Sequence, residues 1–213
     1  MAISDGETVV AAMTIAGRDR PSDQLMPCVE RCLQMAGWTA ADLEGLAVSA
    51  GPGSFTGIRV GVTAAKTLAY TLKKPIVPVS SLDVLAANVP APRWPLWVIV
   101  DARKEKLYAA RYELPMNGLL HRAGRELLVA LEQLLPQMTG EVAVLGDGLV
   151  RYGEAIRAAL GERGHYLPEA LWVPQASAVC RLGARAFADG GAVELHALNP
   201  HYLYSNESDI TGW

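Results

Sequence analysis

From Glu7 to Ile15 the chain reads ETVVAAMTI, an apolar and partly β-branched run led by Asp5-Gly6, a pair suited to a tight turn. The pattern predicts a hairpin strand. Leu25 to Ala36 then carries apolar residues at helical spacing and stops at Gly37, with Pro27 required to sit in the first turn or to kink the helix. Gly45 to Ala50 (GLAVSA) predicts a short buried strand, a glycine-rich turn follows, and Thr56 to Leu72 predicts a long helix. Pro75 to Val79 predicts another strand, and Ser80-Ser81 a cap for a helix running through Asn88. Pro90, Pro92 and Pro95 then break the chain and set a border, giving an N-terminal subdomain of residues 1–92 and a C-terminal one of 93–213.

Past that border, Leu96 to Asp101 and Leu107 to Glu113 predict antiparallel strands joined through Asp101-Ala102-Arg103-Lys104. Helices are expected near Arg125 to Leu135, Arg151 to Leu160 and Ala178 to Asp189, and short strands at Val142 to Leu145 and Leu171 to Val173. The polar tail from Ser205 is expected to fray. Strands alternating with helices after an opening hairpin predict an α/β layer fold, with mixed sheets flanked by helices.

Composition fits this picture and narrows the chemistry. At 51% hydrophobic and 19% charged, 213 residues can bury a sizeable core, and with Phe at only two positions the helices are expected to approach closely. A net charge of -3 gives no global attraction to phosphate, so RNA is expected to be held by a partner. Local basic groups at Arg18 and Arg20, and at Arg103, Lys104 and Lys106, read as solvated loops. Three cysteines, Cys28, Cys32 and Cys180, make no disulfide framework and suit a reducing cytoplasm; no apolar run is long enough to span a bilayer.

The most distinctive stretch is Ser49 to Tyr70, SAGPGSFTGIRVGVTAAKTLAY, in which a strand ends in Gly51-Pro52-Gly53 and turns straight into a helix capped by Ser54 or Thr56. A helix start of this kind can hold an anion, but the spacing fails the phosphate loops. Lys66 follows Ala65 with Val60 upstream, where a P-loop needs glycines, and Thr56 stands where a dinucleotide fingerprint needs its third glycine. Within the helix Gly57, Gly61, Ala65 and Ala69 recur every four residues and suggest a flat strip on which another backbone can lie, in its own chain or in a partner. The helix from Leu25 shows a wide apolar face, broadened by Met26, Cys28 and Met35, that suits either core packing or an adaptable contact.

Catalytic signatures are not visible. Cys28 and Cys32 form a local pair that no neighbour completes into a metal site, and the histidines, His121, His165, His196 and His201, are dispersed. Neither an HExxH helix nor a G-x-S-x-G elbow occurs.

Taken in order, AGPGSFTGIRVGVTAAKTLAY, PIVPVSSLDVLA, VDARKEKLYAARYE, LGDG at Leu145 to Gly148 and NPHYLY near the end resemble the bacterial TsaB (YeaZ) family, over most of the chain. The resemblance implies an actin-like, sugar-kinase-like (ribonuclease H-like) fold with two subdomains. It also implies a cytoplasmic, non-catalytic subunit that supports the catalytic paralogue TsaD, beside the ATPase TsaE. That machinery transfers a threonylcarbamoyl group to the N6 of the adenosine next to the anticodon, in tRNAs reading codons that begin with A. Carried over, the partner interface takes Leu25, Val29, Cys32 and Leu33 of the first helix with Arg59, Val60, Thr63, Ala64 and Thr67 of the second. The same helices are expected to serve a homodimer. Gly51, Pro52, Gly53, Ser54, Phe55, Thr56 and Gly57 form the family's turn. No cofactor is implied for the chain itself, with ATP or ADP placed at the complex interface, and tRNA is met only indirectly. The competing reading is a kinase-fold phosphotransferase or a glycoprotease-like metallopeptidase.

Two departures stand out. Family members begin with a strand ending in an Asp-Thr-Ser-like turn, whereas Met1-Ala2-Ile3-Ser4 reads as part of the second strand, so the first strand is expected to be missing, with an upstream start. Arg20-Pro21-Ser22 replaces a histidine before serine, which further weakens a proteolytic reading.

Overall fold

The computed structural model describes residues 1–15, 21–89, 91–113 and 120–204. In chain order it holds β1 (Ala2–Asp5), β2 (Thr8–Ala12), α1 (Pro21–Ala36), β3 (Leu46–Gly51), α2 (Phe55–Leu72), β4 (Ile76–Ser80), α3 (Ser81–Ala86), β5 (Leu96–Asp101) and β6 (Lys106–Glu113). There follow β7 (His121–Arg122), β8 (Leu127–Ala130), α4 (Leu131–Leu134), β9 (Val142–Leu145), α5 (Gly148–Leu160), β10 (Gly164–Tyr166) and α6 (Ala176–Ala188). Arg18, Arg20 and the tail from Ser205 lie outside the described residues.

Two compact units emerge. Within the described residues, the first takes Met1–Ala50, Thr56–Ser80 and Gln175–Pro200, and the second takes Gly51–Phe55, Ser81–Pro174 and the segment from His201. The division therefore falls elsewhere than at the proline cluster. Leu82, Leu85 and Ala86 of α3 are buried with Leu96 and Val98 of β5, which draws α3 into the second unit. α6, expected in the second half, packs on β1, β2 and β4 and belongs to the first. Prolines mark where the backbone is interrupted, and apolar burial decides which core a helix joins.

The second unit is built on a mixed sheet in the order β10-β9-β5-β6-β7, with β8 also paired to β6. β10, β9 and β5 run parallel, and β6 is antiparallel to β5, β7 and β8. Its centre is β5, where the run LWVIV is apolar on both faces because both are covered. Leu96 and Val98 enter a cluster with α3, while Trp97 and Ile99 enter one with Leu131 and Leu134 of α4 and Ile156 and Leu160 of α5.

Two expectations fail in this unit. Leu127–Ala130 is a strand, because these residues pair in register with Lys106–Ala109, and only Leu131–Leu134 is α-helical in the stretch expected to form one helix. A partner strand outweighs local helix preference. Leu171 to Val173 is no strand either, since residues Glu169–Leu171 form a 3-10 turn. The carbonyls of Leu171 and Val173 accept from the Asn88 side-chain amide at 2.8 and 2.9 Å, taking the place of a ladder.

The first unit holds two strand pairs, β1-β2 antiparallel and β3-β4 linked through α2. Ile58, Val62 and Ala69 of α2 pack with Ala50, Ile76 and Leu198. Ile3 and Ala11 of the hairpin close on Cys32 of α1. Between β1 and β3 lies a cavity of about 830 Å³, bordered by α1, α2 and α6.

Candidate functional site

The glycine turn is built as its sequence demands. Gly51 takes φ +111°, where a side chain would strain the backbone, and a cis peptide joins it to Pro52. Gly51 and Pro52 are buried, Gly53 and Phe55 are half-buried, and Ser54, Thr56 and Gly57 are exposed. Ser54 directly precedes the helix. Ile58 and Val62 point into the unit's own core, which leaves Arg59, Thr63 and Thr67 exposed one turn apart, with Val60 and Ala64 half-buried beside them. This outward strip is low in relief; the Thr67 hydroxyl donates to the Thr63 carbonyl at 2.9 Å and so adds no unmet polar group.

The expected small-residue strip is not one face. Gly57 is exposed and Ala69 is fully buried. Positions four apart advance by about 40° around an α-helix, so three such steps carry the strip from solvent into the core.

On α1 the expected interface residues divide. Cys32 is fully buried and its thiol aims at the Met1 carbonyl at 4.0 Å, so it has no surface to offer a partner and is removed from the interface. Burial pushes that thiol above its ordinary range. Val29 and Leu33 border the cavity of their own unit. Leu25 is half-buried, and the outward side of α1 carries Arg31, Gln34 and Met35. Pro27 lies inside the helix, beyond its first turn.

In the second unit, motifs far apart in sequence converge. The Tyr204 hydroxyl donates to the carbonyls of Ala102 at 3.0 Å and Arg103 at 3.3 Å, and its ring meets Tyr108 edge-on. Lys106 lies over the same ring, 5.5 Å from its centre. Phe55 of the glycine turn stacks obliquely on Tyr202 at 5.2 Å. Asp147 accepts the Asp101 amide at 3.0 Å, joining LGDG to VDARKEK. The loop from Arg103 to Glu105 is exposed and holds three successive non-glycine residues at φ +65°, +46° and +60°.

A polar cluster was not foreseen. Arg122 pairs with Asp83 and Glu126, Glu126 binds His201 at 2.7 Å, and Tyr112 donates to Asp83 at 2.7 Å. Burial raises the Asp83 carboxyl against the opposing effect of Tyr112, and the Glu126 hydrogen bond raises His201. Arg122 and Glu126 lie four residues apart, and Asp83, Tyr112 and His201 fall in three separate motif strings, PIVPVSSLDVLA, VDARKEKLYAARYE and NPHYLY, with no spacing that joins them. The cluster fastens His201 beside the end of β6. Among the described residues, no three His, Cys, Asp or Glu side chains gather as a metal site, and no helix is long and apolar enough to cross a membrane.

Residues 16–182 match the family model described as TsaD: tRNA N6-adenosine threonylcarbamoyltransferase, which sets the class of domain. A tRNA threonylcarbamoyladenosine biosynthesis protein TsaB from Bacillus subtilis is 34% identical over 95% of this chain and 88% of its own length. The Escherichia coli protein of the same name is 29% identical over 95% and 88%. Among solved structures, YeaZ from Pseudomonas aeruginosa superposes with a TM-score of 0.74 at 27% identity, covering 89% of this chain and 87% of that one. A Pseudomonas aeruginosa protein described as similar to peptidase YeaZ gives a TM-score of 0.76 at 26% identity, over 91% and 93%. The chain belongs to the TsaB family of tRNA threonylcarbamoyladenosine biosynthesis proteins.

Proposed function

We propose that this chain is the non-catalytic, cytoplasmic subunit that docks on a TsaD-type transferase and supports it in making threonylcarbamoyladenosine on tRNA, beside a TsaE-type ATPase. The outward strip of α2 carries the reading: Arg59, Val60, Thr63, Ala64 and Thr67 offer a flat surface of small side chains, edged by one cation, onto which a second helix fits closely. The net charge of -3 agrees with a role in which the partner grips the RNA. Nucleotide, where it takes part, belongs to the partner or to the joint interface. The same strip serves a homodimer when the partner is absent.

Co-purification with the TsaD-type partner tests the reading. Val60→Glu with Thr63→Arg is expected to weaken association by roughly 100-fold while leaving the fold intact, since Thr63 is exposed and Val60 is only half-buried. Unchanged association sinks the proposed face. ATP turnover by the purified chain, lost on mutation of a defined site, would favour a phosphotransferase instead.

A further inference from the structure

We infer that Lys73, just past the C-terminal end of α2, takes a carboxylate of the partner, with Tyr70 beside it as the aromatic anchor of the docking face. The inference rests on reading the outward strip of α2 as that face. It adds the chemistry that fits there: an acidic side chain on the transferase subunit's docking helix.

The backbone at Lys73 is unusual for its residue type. The Lys73 amide donates to the Tyr70 carbonyl at 3.3 Å and the Lys74 amide to the Ala69 carbonyl at 3.0 Å, the paired closure that ends many helices. That closure needs a left-handed residue between the helix and Lys74, and Lys73 takes φ +54° to supply it. Glycine adopts this conformation freely, whereas a β-carbon crowds the following carbonyl. A cation does favour the last carbonyls of a helix, but Lys74 already places one at this end, so the helix itself does not call for a second at the glycine position.

Tyr70 lies on the strip itself. It follows Thr63 at a separation close to two whole turns, so the two fall within about 20° of each other around the helix axis. Tyr70 is 76% exposed, a large ring at the end of a strip whose other members are small or polar. Rigid aromatics in such places are what interfaces use as anchors. Beside it a recess of about 700 Å³ is bordered by Thr71, Lys73, Pro75 and Glu194. Ala69 and Ile76 are fully buried at its floor, and the Val193 amide donates to the Ile76 carbonyl at 3.0 Å, which fixes the far wall.

Charge decides the occupant. From Phe55 to Leu72 α2 has no Asp or Glu, so the strip bears only positive charge, with Arg59 near one end and Lys73 just past the other. Lys66 and Lys74 are already engaged, donating to the carbonyls of Leu198 at 2.8 Å and Ala41 at 3.2 Å. The Lys73 ammonium has no partner among the described residues, and Glu194, which lines the same recess, forms no ion pair with it. A second α2 laid on the strip would set cations against cations, whereas an acidic helix edge meets them with opposite charge. A neutral apolar partner would leave Lys73 desolvated and unpaired. The strip therefore favours the transferase-type partner over a second copy of this chain.

The experiment measures binding of the purified full chain to the TsaD-type partner at about 50 mM and about 500 mM salt. Lys73→Gly keeps the turn, since glycine suits the left-handed position, and leaves the chain folded. At the lower salt it should bind roughly tenfold more weakly than the parent chain, and at the higher salt the two should lie within about threefold, because screening weakens the parent's ion pair. Lys73→Arg should stay within about threefold of the parent at both, and Tyr70→Ala should weaken binding by roughly 30-fold. Equal affinity of the parent and Lys73→Gly at the lower salt overturns the inference, as does a loss that salt does not diminish. Unchanged binding by Tyr70→Ala removes its anchor role. A loss confined to self-association of this chain assigns Lys73 to a second copy and overturns the inference too. If Val60→Glu with Thr63→Arg breaks the association and Lys73→Gly does not, this inference fails alone; if neither changes it, the docking reading of α2 fails as well.

Discussion

At the scale of single residues, the LGDG motif of the second unit meets a tight backbone requirement. Gly146 sits at φ +120°, and a β-carbon there would lie 2.1 Å from the Ile99 carbonyl oxygen, a clash with backbone that no rotamer relieves. Gly146→Ala should therefore lower stability by about 3 kcal/mol or more, read from urea unfolding. His201 makes a milder prediction. Its folded pKa is raised, chiefly by the hydrogen bond to Glu126, with Arg122 opposing. The pair's contribution is thus fully present below the unfolded value of about 6.5 and is lost as pH rises through the folded one. His201→Gln should flatten the fall in stability above about pH 6.5, by no more than about 1 kcal/mol because the imidazole is half-exposed. An unchanged pH profile would show that the pair carries no stability.

Among the elements, those whose apolar period is set by one partner surface were legible in the sequence, and those set by a distant strand were not. α2 and α5 follow their helical pattern to within a few residues. β8 reads locally as helix and becomes a strand only because β6 offers it an edge. On α1 the apolar stripe was visible, but nothing in its spacing said that Cys32 would face Ile3 and not a partner. The loop from Arg103 to Glu105 looked like a solvated turn, and its successive left-handed residues are a property of the tight β5–β6 reversal that composition hides. Glu105→Gly relieves one of them and should raise stability by about 1 kcal/mol in thermal unfolding. A loss of stability would mean that the Glu105 side chain holds the loop.

For the molecule as a whole, the resemblance carried by five motif strings foretold the family, and the sequence and structural relatives agree with it. Sequence alone could not divide the two units, because α6 returns to the first core after more than ninety residues in the second. Nor could it bring His201, Glu126 and Asp83 together, since chain separation carries no distance. We propose that chemistry belongs to a partner and docking to α2. It is tested most directly by reconstituting threonylcarbamoyladenosine formation on tRNA with purified subunits. No product is expected from this chain alone, product when the TsaD-type and TsaE-type partners join it, and at least about a tenfold loss with the Val60→Glu, Thr63→Arg chain. Product formed by this chain unaided, or full activity with that variant, would contradict it.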